Sequence, residues 1–219
     1  MLLTELFIAS ASIISCFVAS FYLLFTHGPF SLLYYGDSVS HMVISRRIFD
    51  SIIPSITQLG GVWLPMTHIM LAPFVASDFL FQTGLAGTIV SSLSTSMTAV
   101  MLFRIVKMQF KSKPAGLLAS ALYMMNPSVI YMGIVPMMEA PFVMFFMLSV
   151  FYFQKWYYVH ISNGSALKQL STLIKCSLAI SLSCLTRYEG WLLPLDLIFA
   201  ILFILLFITR EPQKHRIEA

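Results

Sequence analysis

The chain has 219 residues, of which 58% are hydrophobic and only 10% charged, with a mean hydropathy of +0.86. That apolar content exceeds the roughly 45–50% of soluble domains, so the composition excludes an ordinary soluble domain and points to an integral membrane protein. The net charge of +4 sits mostly on lysines in short loops, which suits an anionic membrane leaflet rather than nucleic acid.

In chain order, uncharged runs mark the expected spans, because a crossing takes about 20 apolar residues. The first helix is expected over 5–26. No basic n-region precedes it, Glu5 sits near its start, and the run is too long for a signal-peptide core. It therefore reads as a retained transmembrane helix. A first external loop, 27–79, follows. Within it, Gly36-Asp-Ser-Val-Ser-His-Met-Val-Ile-Ser-Arg-Arg-Ile-Phe-Asp-Ser51 gathers two acids, two arginines and a histidine. Charge beside a bilayer is costly unless solvated or used, which makes the cluster a candidate site. If the stretch is helical, Asp37 and His41 lie one turn apart on one face, where they can share a proton or hold a cation. The bland alternative is an N-terminal aspartate cap, a surface histidine and a helix-stabilising Arg46–Asp50 pair.

Residues 62–78 hold only 16 uncharged positions before Asp78, are broken by Pro65 and Pro73, and carry Trp63 and His68. Such a run reads as re-entrant or interfacial rather than spanning. If it did span, the N-terminus would move outside and the preceding loop inside, which the distribution of positive charge alone would also accept.

Helix two is expected over 80–104 and helix three over 114–133, with Pro114 in its first turn. Pro136 then marks a tight turn into helix four, 138–154. Glu139 stands at its mouth, where an acid either caps the helix dipole or lines a site. Helix five covers 169–186, with Lys175 able to snorkel to the nearer interface, and helix six 190–209, with Asp196 embedded. Between them, Tyr188 and Trp191 fit an interfacial aromatic belt and Glu189 the start of helix six. Arg187 gains nothing from an external position, but its planar fork suits a phosphate. Six spans with both termini cytoplasmic place Lys107, Lys111, Lys113, Lys155, Lys168 and Lys214 inside, and Arg46, Arg47 and Arg187 outside.

The expected fold is thus all-α, a polytopic membrane bundle of about six transmembrane helices. No internal repeat supports an inverted-repeat transporter with Asp196 and Glu139 on a proton path. Cys16, Cys176 and Cys184 fall in apolar runs and read as packing residues. The sequon Asn163-Gly-Ser165 lies in an expected cytoplasmic loop. No phosphate-binding glycine loop, zinc spacing or serine–histidine nucleophile is present.

Four passages, in this order, resemble the N-terminal half of a GT-C type membrane glycosyltransferase: Tyr35-Gly-Asp-Ser-Val-Ser-His41, Arg46-Arg-Ile-Phe-Asp-Ser51, Gln58-Leu-Gly-Gly-Val-Trp-Leu-Pro-Met-Thr-His68 and Leu185-Thr-Arg-Tyr-Glu-Gly-Trp191. Pro136-Met-Met-Glu-Ala-Pro141 resembles the short acid–proline turn at the mouth of that family's fourth helix. The likeness is to the protein-mannosyltransferase-like and aminoarabinose-transferase-like branch. It implies one transmembrane domain over 1–219, with amphipathic or re-entrant juxtamembrane helices in loop 27–79. It implies a sugar transferred from a polyprenyl-phosphate donor to an extracytoplasmic hydroxyl of a glycan, lipid or protein, with inversion. Membrane lipids are expected partners, and the active face is extracytoplasmic at the cell membrane.

The same resemblance puts Asp37 in the place of the acid acting at the transfer centre, as catalytic base. His41, Arg46, Arg47, His68, Glu139, Arg187, Tyr188 and Glu189 are the expected substrate-binding set. Many relatives place a second acid directly after the first; here Ser38 stands there, so no paired-carboxylate motif supports a divalent metal. Family members usually continue through further helices, which implies a second polypeptide supplying them, or a truncated product. The competing class is a non-catalytic membrane subunit derived from such an enzyme.

Overall fold

The computed structural model describes residues 2–208, and the described residues are helical with no strand. Four long helices build the body: α1 (Leu2–His27), α5 (Leu85–Phe110), α8 (Glu139–Ile161) and α9 (Ala166–Cys184). Between them lie α2 (Gly36–Asp50), α3 (Pro65–Val75), α4 (Asp78–Thr83), α6 (Lys113–Met124) and α7 (Pro127–Met132). A 3₁₀ turn, Tyr188–Leu192, leads into α10 (Leu193–Phe203), whose last stretch Ile204–Ile208 widens to a π-helix.

Helix α5 is the hub. Its most apolar stretch is 61% buried, against 22% for α1 and 6% for Tyr188–Ile208, so α1 and α10 leave most of their surface facing outward. Small and hydroxylated residues let neighbours approach α5 closely. Some of its hydroxyls bond to the backbone of those neighbours: Thr88 Oγ1 donates to the Ile134 carbonyl at 2.7 Å and Ser91 Oγ to that of Val135 at 2.7 Å. Ser96 Oγ reaches Ala9 O on α1 at 3.2 Å, while Ser120 Oγ of α6 donates to Ala99 O at 2.8 Å. At Gly87 a Cβ would stand 2.3 Å from Pro136 Cβ, so this crossing requires glycine.

Paired contacts fix the directions. Ser20 meets Thr88 at one end of α1, and Glu5 meets Arg104 at the other, so α1 and α5 are antiparallel. Gln154 of α8 bonds to Ile105 O and to Gln109 Oε1, so α8 runs alongside α5 in the same direction. Cys176 Sγ contacts Ser149 O as α9 returns. One end of the bundle therefore carries Glu5, Arg104, Lys107 and Lys155. The other carries α2 to α4, the turn before α8 and the turn after α9.

Several expected boundaries shift, each for a local reason. The apolar run 114–133 is two helices, because Pro127 lacks an N–H and forces Asn126 out of the helical region. Asn126 Oδ1 then caps the new helix by accepting from Ser128 N at 2.9 Å. Helix two begins at Leu85 rather than 80, since Gly84 at φ +77° separates it from α4, and it continues to Phe110. Among the described residues three helices are long and apolar enough to cross a membrane, Leu2–His27, Leu85–Phe110 and Tyr188–Ile208, rather than the six expected. Helices α8 and α9 have 23 and 19 residues, but Gln154 and Lys155, and Lys168, Gln169 and Lys175, dilute their apolar character. Helix α3, at 11 residues, rises only about 16 Å, half of a bilayer's hydrocarbon core.

Candidate active site

Helix α2 begins at Gly36 after extended Tyr35, which sets Asp37 in its first turn, where the helix dipole favours an anion. Asp37 is exposed and has no ion-pair or hydrogen-bond partner among the described residues. One turn on, His41 is fully buried, and its Nδ1 lies 2.9 Å from Nε2 of His68, also fully buried on α3. Trp63 covers the pair, its ring 5.0 Å from that of His41. This histidine pair joins the two loop helices.

Burial lowers the pKa of both imidazoles: His68 falls to about 4, through desolvation and then the neighbouring His41. For His41, desolvation leads, the charges of Asp37 and Glu139 oppose it, and that of Arg187 adds to it. Both rings are therefore neutral at pH 7, one N–H bridging them. The outward nitrogens, His41 Nε2 and His68 Nδ1, are buried without a partner among the described residues.

The second wall comes from the turn after α9. Gly190 packs so tightly on the end of that helix that a Cβ would lie 2.6 Å from the backbone of Ser183. This tight return presents Arg187, whose Nε and Nη2 donate to Glu189 at 3.2 and 2.7 Å, while Nη1 donates to Glu139 Oε1 at 2.5 Å. Glu139 thus comes from α8 and Glu189 from the turn, with the guanidinium between them. The other oxygen of Glu139, Oε2, is buried and unpartnered among the described residues, an acceptor left open.

Loop and turn are stitched together by Tyr188, whose hydroxyl donates to Val62 O at 2.7 Å, and by Met66 N, which donates to Leu185 O at 2.9 Å. Between them opens a cleft of about 300 Å³ lined by Val62, Trp63, Leu64, Met138 and Thr186 to Glu189.

Seven expected residues, Asp37, His41, His68, Glu139, Arg187, Tyr188 and Glu189, fall at this end around the cleft and the histidine pair. Arg46 and Arg47 line a separate cavity of about 380 Å³ with Asp50, Asp78 and Phe81. There Arg46 bridges Asp50 and Asp78 and lies over the Phe81 ring, clamping α2 to α4. Asp196 is exposed on α10, beside an apolar groove between α8, α9 and α10. Sequence reasoning did not single out Trp63 as part of the site, though an aromatic five positions before His68 was its signal. Nor did it find the buried hydroxyls of Ser38, Thr67 and Ser183, without a partner among the described residues, which leave no trace in spacing. Among the described residues no group of three or more histidine, cysteine, aspartate or glutamate side chains is placed to hold a metal ion.

No curated protein and no solved structure matches the chain. A family model does match, that of dolichyl-phosphate-mannose-protein mannosyltransferase, over residues 16–208, a range that includes every residue of the cleft. The chain therefore belongs to the dolichyl-phosphate-mannose-protein mannosyltransferase family, a family of membrane glycosyltransferases.

Proposed function

We propose that the chain transfers a sugar from a polyprenyl-phosphate donor to an acceptor hydroxyl outside the cytoplasm, with inversion at the anomeric carbon. The observation that carries this reading is the convergence, around His41, of an unpartnered carboxylate on α2 and an arginine held by α8 and the turn after α9. Asp37 takes the proton of the acceptor hydroxyl as its oxygen attacks the anomeric carbon. The bond from that carbon to the phosphate oxygen breaks, and the lipid phosphate leaves with one more negative charge. Arg187 stabilises that charge as it develops. A positioned base of this kind contributes roughly 10²–10⁴-fold.

The structure adds a condition to the role of Arg187. Its fork is filled by Glu189, which is exposed, whereas Glu139 is half-buried. An arriving phosphate displaces Glu189 and takes over the two parallel donors, while Glu139 keeps the guanidinium in place. The open Oε2 of Glu139 then accepts a hydrogen bond from the acceptor side. The neutral histidine pair fixes α2 against α3 and so sets where Asp37 stands. Arg46 and Arg47, in the last turns of α2, supply long-range attraction for the anionic donor.

The face assignment rests on charge. Lys107, Lys111, Lys113, Lys155 and Lys168 all fall at the end opposite Asp37, and cytoplasmic loops carry the excess of lysine. The direct test incubates purified protein in lipid nanodiscs with labelled polyprenyl-phosphate sugars and candidate glycan, lipid and peptide acceptors. Transfer to a hydroxyl acceptor with inverted anomeric configuration is expected. Transfer with retained configuration, or none with any donor and acceptor, rejects the reading.

A further inference from the structure

At the opposite end of the bundle, α1, α5 and α8 enclose a cavity of about 420 Å³ lined by Glu5, Phe103, Arg104, Lys107, Met108, Phe151 and Lys155. Nothing in the sugar-transfer reading uses it. Three cations face one carboxylate there, and that carboxylate is fully engaged: Arg104 Nε and Nη2 donate to the two oxygens of Glu5 at 3.1 and 2.6 Å. Glu5 is 7% exposed in its side chain, so the pair anchors the guanidinium rather than meeting solvent. Arg104 Nη1 donates to no described residue. Lys107 and Lys155 have neither an ion pair nor a hydrogen bond among the described residues. Their ammonium groups lie over aromatic rings instead, Lys107 over Phe103 at 5.6 Å and Lys155 over Phe151 at 5.4 Å. Arg104 lies over the same Phe151 ring at 5.7 Å.

Lysines placed only to satisfy membrane topology would point separately into water. Here Arg104 and Lys107 of α5 and Lys155 of α8 converge on one cavity with an apolar floor. The floor of Phe103, Met108 and Phe151 and the cationic rim together match a phosphate group carried on apolar chains. The match is to a phosphate because the cations outnumber the acid by two and one guanidinium edge is already fixed for a planar, charge-assisted contact. The match is to a lipid because α1 and α5, which form two of the walls, are long and apolar enough to cross a membrane.

We infer that this cavity binds the phosphate headgroup of an anionic phospholipid at the end of the bundle opposite the candidate active site. The headgroup sits between Lys107 and Lys155 against Arg104, and its acyl chains run along the α1–α5 face. This site holds whether or not the other end transfers sugar.

The test compares thermal unfolding of the full chain in detergent micelles doped with phosphatidylglycerol or with phosphatidylcholine, and with phosphatidylcholine plus inorganic phosphate at matched anion concentration. Native mass spectrometry counts the lipid retained. The wild type should be stabilised by, and retain, phosphatidylglycerol in preference to phosphatidylcholine, and gain nothing from inorganic phosphate. Lys107→Gln and Lys155→Gln should each weaken retention about fivefold, since a lysine near an anionic surface is worth about 1 kcal/mol. The single variants leave the Glu5–Arg104 anchor in place and keep the test usable if the double variant fails to fold. Lys111→Gln/Lys113→Gln removes two charges, as many as the Lys107/Lys155 double variant and more than either single variant, from the same end outside the cavity and should leave the preference intact. Equal loss in that control means general surface attraction and overturns the site. So does an unchanged preference in Lys107→Gln and Lys155→Gln, or stabilisation by inorganic phosphate alone.

Discussion

Arg187 holds its charge between two carboxylates that reach it from opposite sides, and this sets what it does when an anion arrives. A guanidinium paired to Glu189 through two parallel bonds is already satisfied, so on the proposed reading donor binding would exchange one carboxylate for a phosphate rather than fill an empty site. Glu189→Gln removes the competing charge and keeps the shape. It should tighten donor binding severalfold, read as a lower Kd for a polyprenyl-phosphate sugar; weaker binding would mean that Glu189 assists the donor instead. Arg187→Lys keeps the charge but loses the fork, and should weaken donor binding by at least tenfold, about 1.4 kcal/mol. The histidine pair makes a second prediction. A pKa held below the ordinary value favours the neutral ring in the folded state, so its stability is complete above pH 6.5 and is lost as pH falls toward about 4. For His68 that loss amounts to about 3 kcal/mol. Unfolding temperatures measured from pH 7 to 4 should fall more steeply in the wild type than in His68→Gln; parallel curves would sink the assignment. Sequence alone offered every one of these residues, but singly. Glu139 lies on α8 and Arg187 in the turn after α9, and His41 and His68 lie on different helices; pairing between separate elements has no periodicity to reveal it.

Among the elements, α5 does most to position the site, because its small and hydroxylated face holds the turn that starts α8. Gly87 touches Pro136 with no room for a Cβ. Gly87→Ala should push that turn away and lower stability by about 1–3 kcal/mol, the range for overpacking a close contact. Glu139 follows three residues later, so donor or acceptor binding should weaken with it. Intact binding alongside the lost stability would separate the turn from the site. At the far end, Glu5→Gln leaves Arg104 without its counter-charge. The cost should be about 1–3 kcal/mol, below the 3–5 of a fully buried pair because Arg104 is a third exposed. Thermal melts in detergent measure it. The long apolar helices were legible from hydropathy, whereas the helix carrying Asp37 entered only as a condition on the Asp37–His41 spacing and as what the family resemblance implied for the loop. The break at Asn126-Pro127 was not legible, because both sides of it are equally apolar and hydropathy does not register a lost backbone donor. The start of α5 at Leu85 was hidden for the same reason: Gly84 interrupts the helix by its backbone, not by its polarity.

The molecule as a whole is polarised along its helices. One end gathers carboxylates, buried neutral imidazoles and a constrained arginine under the loop helices; the other gathers lysines around a partly apolar cavity. Helix α5 spans the distance between them, with its buried hydroxyls bonded partly to neighbouring backbone and partly to its own, so the two ends are joined by one internally bonded helix. This arrangement suits a reaction on one membrane face and anchoring on the other. On the proposed function, the Asp37 end performs sugar transfer with Asp37 as the base. The measurement that tests this most directly is the rate of labelled-sugar transfer by Asp37→Asn, with donor affinity determined in the same nanodiscs. The substitution is nearly isosteric and removes only the basic function, so transfer should fall by roughly 10²–10⁴-fold while donor Kd stays at the wild-type value. Transfer at the parental rate with donor binding intact would contradict the account and move the role of base to Glu139.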